Sequence, residues 1–265
     1  MATGGAVVKA GELIGGGAAL LRRAGSMLLD QLYPPLCLCC DRPVADADAL
    51  CAECFRGLRP ITAPLCPILG VPFEVALGPD AVSAEAIADP PPFQRARSAV
   101  LYNDVARAVV ARLKYGDRPE LARFCARLMA GAGAAFWPDR PVLVPVPLHR
   151  SRQVSRRYNQ STELARALAR LTGASVETGL VARVKATRHQ VGLSADARRR
   201  NLAGAFETRP GAVARVGSRR VVLVDDVITT GSTVNAVTRA LNRAGIDKVD
   251  VISFARVVIG DDLPG

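Results

Sequence analysis

Aromatic residues make up only 5% of the 265 positions, with one Trp and two His. The core must therefore be built mainly from Ala, Val and Leu. A single-stranded nucleic acid would find few rings on which to stack its bases, Phe55, Phe73 and Tyr158 among them. Long apolar runs are also missing. Charges interrupt every candidate well before the ~18 residues that a membrane-spanning helix needs. The Gly- and Ala-rich start, with Lys9, Glu12, Arg22 and Arg23, lacks the order of a secretory signal, so a cytoplasmic location without membrane insertion is expected. No Gly-Lys-Ser/Thr and no Gly-x-Gly-x-x-Gly occurs, which argues against a Walker loop and a dinucleotide-binding turn. The two histidines, His149 and His189, offer no base chemistry that their surroundings single out.

What is present begins with charge. The net charge is +11, which draws polyanions: phosphates or nucleic acid. The 265 residues are enough for one large domain and one small one, and the 49% of hydrophobic residues rules out a largely disordered chain. Five of the seven cysteines crowd between Cys37 and Cys54, too local for a disulfide framework in a cytosolic chain. Cys37-x-x-Cys40, ten residues, then Cys51-x-x-Cys54 makes two knuckles that would close one structural tetrahedral zinc site. So small a module would gain from the metal the stability its core lacks. Cys39 is an extra thiol able to compete as a ligand, and Cys125, on a helical stripe, reads as core.

Residues 1–33 read as a tail leading into a short helix, with Leu28, Leu29 and Leu32 on one face and Pro34-Pro35 ending it. Residues 34–92 form the cysteine module, and Asp89-Pro90-Pro91-Pro92 marks the boundary with a main domain over 93–265. In that domain Ser98–Tyr102 reads as a strand, and Val105, Val109 and Leu113 mark a helix. Val142–Val144 is a strand. Gln160–Leu171 is a helix with Leu164, Leu168 and Leu171 on one face and Gly173 as its stop. Val221–Val224 has the continuous apolar run of a parallel strand buried on both faces. A helix over Ser232–Ala244 and a strand over Val249–Phe254 complete a βαβ unit, so the fold class is α/β with a parallel sheet.

The most informative stretch is Val221-Val222-Leu223-Val224-Asp225-Asp226-Val227-Ile228-Thr229-Thr230-Gly231-Ser232-Thr233. A buried strand delivers two adjacent carboxylates at its C-terminal end, where sites on open α/β sheets lie. A turn of small hydroxyl residues then opens a helix, placing N–H groups and hydroxyls around a phosphate at the positive end of the helix dipole. An ordinary capped turn needs one hydroxyl residue; this one has Thr229, Thr230, Ser232 and Thr233.

That stretch resembles the 5-phosphoribosyl 1-diphosphate (PRPP) signature of type I phosphoribosyltransferases. Val144-Pro145-Val146-Pro147-Leu148-His149-Arg150 resembles the diphosphate-side loop of the ComF competence branch, and Arg157-Tyr158-Asn159-Gln160-Ser161 its next block. Leu113-Lys114-Tyr115-Gly116-Asp117 and the segment with Arg188, Gln190, Leu193, Arg198 and Asn201 also fit. The resemblance implies that Asp225 and Asp226 hold ribose hydroxyls and Thr229, Thr230, Gly231, Ser232 and Thr233 hold the 5-phosphate. Pro145, Val146, Pro147, Arg150 and Lys114 would face the diphosphate, with Arg152 a further candidate, and Arg188 would sit on a closing catalytic loop. Mg²⁺ would accompany PRPP. Many relatives carry a second set of knuckles, whereas here Leu69, Ser83 and Ala86 stand where thiols would, leaving Cys66 alone. One zinc is therefore expected.

Two other classes of function are open to the same residues. A single-stranded-DNA-binding accessory would use Arg156-Arg157, Arg198–Arg200 and Arg219-Arg220; an adaptor to DNA-uptake proteins would dock through the zinc module.

Overall fold

The structure is a computed structural model that describes residues 34–78, 81–115, 119–148, 158–185 and 202–258. Two short helices lie in the cysteine module: α1 (Ala52–Gly57) and α2 (Ala84–Ala88). The rest runs β1 (Arg95–Leu101), α3 (Asp104–Tyr115), α4 (Pro119–Ala132), a 3₁₀ turn, β2 (Val142–Pro145), α5 (Gln160–Thr172) and β3 (Ser175–Val176). It ends with β4 (Val181–Arg183), β5 (Phe206–Thr208), α6 (Ala212–Val216), β6 (Val221–Ile228), α7 (Ser232–Arg243) and β7 (Val249–Arg256).

Five strands make one parallel sheet in the order β1-β7-β6-β2-β3, and β4 and β5 pair separately as an antiparallel ribbon. The apolar run at the start of β6 serves both faces of the sheet. Val222 and Val224 join a cluster with Leu113, Met129, Leu164 and Leu168, whereas Val221 and Leu223 join Val234, Val237 and Leu241. Such complete burial is worth roughly 1.5–3 kcal/mol for each Val or Leu. β6 runs four residues further than its apolar stretch, because Asp225, Val227 and Ile228 keep their register with Ser253, Ala255 and Arg256 of β7. The extension carries both carboxylates on the strand itself.

α5 starts at Asn159, whose side chain accepts from Ser161 N, and stops at Gly173 with φ 71°. Leu171 shares the face of Leu164 and Leu168 but is 53% exposed, since its turn lies over β3 at the outer edge of the sheet. The cysteine module has no separate core. Cys37, Leu38, Leu50 and Leu58 pack into the cluster on one face of the sheet, and Cys66, Leu69, Val71 and Ala86 into the cluster on the other. Between the two halves, Ile61 N donates to Ala99 O and Leu101 N to Arg59 O, so the linker covers the open edge of β1.

Candidate active site and metal centre

Asp225 and Asp226 stand at the end of β6, 9% and 5% exposed. Each is gripped from the helices that flank the sheet. Ser161 Oγ donates to Asp225 Oδ1 at 3.2 Å, and Gln160 Nε2 to Asp226 Oδ2 at 3.3 Å. Lys114, near the end of α3, brings Nζ to 3.1 Å from Asp226 Oδ2. Both α5 donors sit in the first turn behind the Asn159 cap, and Asn159 Nδ2 also donates to Val146 O. Capping of one helix thus fixes the carboxylates and the loop after β2 together. Burial, and next the charge of Asp226, push the Asp225 carboxyl up to about 7.

Beyond the pair, Thr229 and Thr230 lead to Gly231 at φ 69°, the left-handed residue that turns the chain into α7. Thr230 Oγ1 and Ser232 Oγ share a hydrogen bond at 2.8 Å, and Thr233 lies in the same first helical turn. Pro145 registers with Val224, and Val146 N donates to Val224 O, so the Pro145–Pro147 segment leaves the sheet beside Asp225. One sheet edge therefore gathers the two carboxylates, the hydroxyl turn, Lys114 and the Pro-rich loop.

Arg150, Arg152 and Arg188 lie outside the described residues, as do His149, Gly116, Asp117 and the segment with Gln190, Leu193, Arg198 and Asn201. So do Leu28, Leu29 and Leu32 and the Arg156-Arg157 and Arg198–Arg200 clusters. Arg219 and Arg220 sit at the opposite end of β6. Arg219 donates to Ser175 Oγ and Arg215 O, and Arg220 meets Gln94 and Asp250. Gln160 and Ser161 were assigned no role from sequence, although a polar pair buried just behind an Asn cap is a signal that could have found them.

The sulfurs of Cys37, Cys40, Cys51 and Cys54 lie within 4.8 Å of one another. A tetrahedral zinc with 2.3 Å bonds needs sulfurs about 3.8 Å apart, and Cys40 and Cys51 are at 3.7 Å. Backbone N–H groups of Cys39 and Cys51 point at Cys37 Sγ, at 3.4 and 3.2 Å. Burial raises the Cys37 thiol, but the donors of Cys51, Cys40 and Cys39 outweigh it and bring it down to about 6. Burial, and next the crowding thiols of Cys40, Cys51 and Cys39, push Cys54 up. Four sulfurs at this spacing suit one zinc ion, which would hold all of them as thiolates.

The second half repeats this scaffold without the ligands. Leu65 bridges Pro72 as Leu36 bridges Pro43, and Cys66 N donates to Val71 O as Cys37 N donates to Arg42 O, both at 2.8 Å. Ser83 caps α2 where Cys51 caps α1, and its Oγ donates to Cys66 Sγ at 3.3 Å.

Comparison with known proteins agrees with both parts. The double zinc ribbon domain family matches residues 28–86, and the phosphoribosyl transferase domain family matches residues 114–260. The DNA utilization protein YhgH of Salmonella typhimurium is 36% identical over 233 residues, covering 85% of this chain and 98% of that protein. Competence protein F of Haemophilus influenzae is 44% identical over 116 residues, covering 43% of this chain and 49% of that protein. Competence protein ComFC of Bacillus subtilis is 26% identical over 201 residues, covering 75% and 80%.

The chain belongs to the ComF family.

It joins a parallel-sheet phosphoribosyltransferase domain to a four-cysteine zinc ribbon, as the sequence led one to expect. Among the described residues no helix is long and apolar enough to cross a membrane.

Proposed function

We propose that this ComF-family chain binds PRPP with Mg²⁺ at the end of β6 and transfers the phosphoribosyl group to a nitrogen acceptor in the cytoplasm. The observation that carries this is the carboxylate pair, buried yet held by three donors, on the strand that leads through the hydroxyl turn to a left-handed glycine and a helix N-terminus. Asp225 and Asp226 accept hydrogen bonds from the ribose hydroxyls, and their charge favours the oxocarbenium character that develops on the ring. The hydroxyls and N–H groups from Thr229 to Thr233 take the 5-phosphate. Ser161, Gln160 and Lys114 orient the carboxylates, so little rearrangement is needed on binding.

In the transfer, the lone pair of the acceptor nitrogen forms the bond to the anomeric carbon. The carbon–oxygen bond to diphosphate breaks, diphosphate leaves with the electron pair, and the proton of the nitrogen passes to water. The site offers only hard oxygen donors, which fits Mg²⁺ held largely by the oxygens of PRPP beside Asp225 and Asp226. Bound Mg²⁺ would supply neutralisation of the diphosphate charge. The relatives named for competence and DNA utilization support a role in the handling of incoming DNA.

Calorimetric titration of PRPP with Mg²⁺ tests the reading. The wild type should bind, and Asp225→Asn/Asp226→Asn should lose about a hundredfold or more, since each carboxylate hydrogen bond is worth about 1.5–3 kcal/mol. A folded, zinc-loaded wild type that does not bind PRPP would overturn it and move the DNA-binding or adaptor readings to first place.

A further inference from the structure

A second hollow lies beside the loop that follows β2. It is a cavity of about 510 Å³ walled by Pro145, Pro147 and Leu148, by the first two turns of α5, and by the β4–β5 ribbon. Asp225, Asp226, Lys114 and the hydroxyl turn take no part in its wall. The space is large enough for a small organic ligand.

Three guanidiniums line it, each from a different element. Arg166 comes from α5, Arg183 from the last position of β4, and Arg209 directly follows β5. Arg183 is 9% exposed, and its guanidinium lies 5.3 Å from the ring centre of Phe206, its partner across the ribbon. That packing holds in one place a cation largely withdrawn from water. Arg209 N donates to Leu180 O, so the ribbon keeps Arg183 and Arg209 side by side. Arg166 pairs with Glu163 at 2.8 Å, an exposed pair within one helical turn that a phosphate can displace. The hydroxyls of Thr162 and Thr178 add neutral donors. Among the described residues no carboxylate lines the cavity: Glu163, Glu177 and Glu207 stand close by in sequence but not in its wall. No aromatic ring lines it either, so a nucleobase would find nothing to stack on.

We propose that this cavity binds a compact ligand carrying two or more linked phosphate groups, at a site separate from the one at the end of β6. Guanidiniums from three walls match several anionic oxygens at once, and each can bind two of them in its planar fork. A single phosphate would leave most of the space and some of the cations unused. The cations converge on one concavity instead of lying in a row, which suits a compact polyanion better than an extended strand. Only Pro145 and Pro147 are shared with the loop beside Asp225, so the inference stands whether or not PRPP binds.

The test uses the full, zinc-loaded chain. Inorganic triphosphate and single inorganic phosphate are titrated calorimetrically at low salt, and triphosphate should bind about tenfold or more tighter. Arg166→Ala/Arg209→Ala should lose about tenfold or more of the triphosphate affinity. Both residues are exposed, so this pair carries the test if Arg183→Met, which should lose as much, does not fold. Two control pairs should each keep the affinity within about twofold: Thr230→Ala/Ser232→Ala in the hydroxyl turn, and Arg170→Ala/Arg243→Ala, which removes the same charge outside the cavity. A comparable loss in the first control would put the anion at the hydroxyl turn, and in the second would reduce the effect to net charge; either overturns the proposal. So would equal binding of phosphate and triphosphate, or no binding of triphosphate by the wild type. Binding of a single-stranded oligonucleotide that depends on Arg166 and Arg209, with triphosphate binding that does not, would overturn the compact ligand in favour of a strand.

Discussion

The two halves of the ribbon share one backbone and use it in opposite ways. In the first half the turn residue with positive φ is Asp41 at 60°, open to solvent and paired with Arg112 of α3. In the second it is Gly70 at 67°, and a Cβ there would stand 2.3 Å from the carbonyl oxygen of Ala96 in β1. The first half is held by four sulfurs and reaches the sheet through side chains. The second is pressed closely on β1, and Leu69 and Ala86, only 6% and 3% exposed, stand where the first half has Cys40 and Cys54. The same knuckle scaffold is thus held by packing on a larger domain where it has no ligand set, and Ser83, at the place of Cys51, lines a cavity.

Breaking the first half should have the largest effect. Cys51→Ser or strong chelation should remove the metal and unfold residues 34–58, since structural zinc contributes about 10 kcal/mol or more to such modules. Limited proteolysis would show new cuts there while the sheet stays intact. Gly70→Ala should come next, at about 3 kcal/mol or more, because positive φ and a backbone clash coincide. Asp41→Gly in the first half should cost about 1 kcal/mol at most, and thermal melts compare the two. Cys66→Ala should cost about 1–3 kcal/mol through the lost sulfur contacts to Ser83 and Leu69, with no change in metal content. The comparison sharpens if Leu69→Cys/Ser83→Cys/Ala86→Cys restores a second site: metal analysis should then rise by one zinc per chain.

The smallest effect concerns the site that the second half faces. The Asp225 carboxyl is raised to about 7, above the ordinary Asp value near 3.9. This contributes stability that is fully present below about pH 4 and is lost as the pH rises through 7. PRPP needs the carboxylate, so its affinity should move the other way. It should rise up to about tenfold from pH 6 to pH 8, and Asp225→Asn should flatten that rise measured against the titration of PRPP itself.

Much of this was legible in the sequence. The Asp225-Asp226 pair could be placed at a strand end because four apolar residues precede it and a hydroxyl turn follows. The first knuckles could be read because their spacing is itself the geometry of the metal site. The repeat in the second half was visible only as absences at Leu69, Ser83 and Ala86, and the packing that replaced the metal depends on β1, distant in sequence. Gln160 and Ser161 stood in a matched block but without a role, because each takes it from a partner more than sixty residues away.

The division of labour between the two halves is tested most directly by counting zinc in the purified full chain. One zinc per chain, lost in Cys51→Ser and kept in Cys66→Ala, is the predicted result. Two zincs, or a folded chain with none, would contradict it.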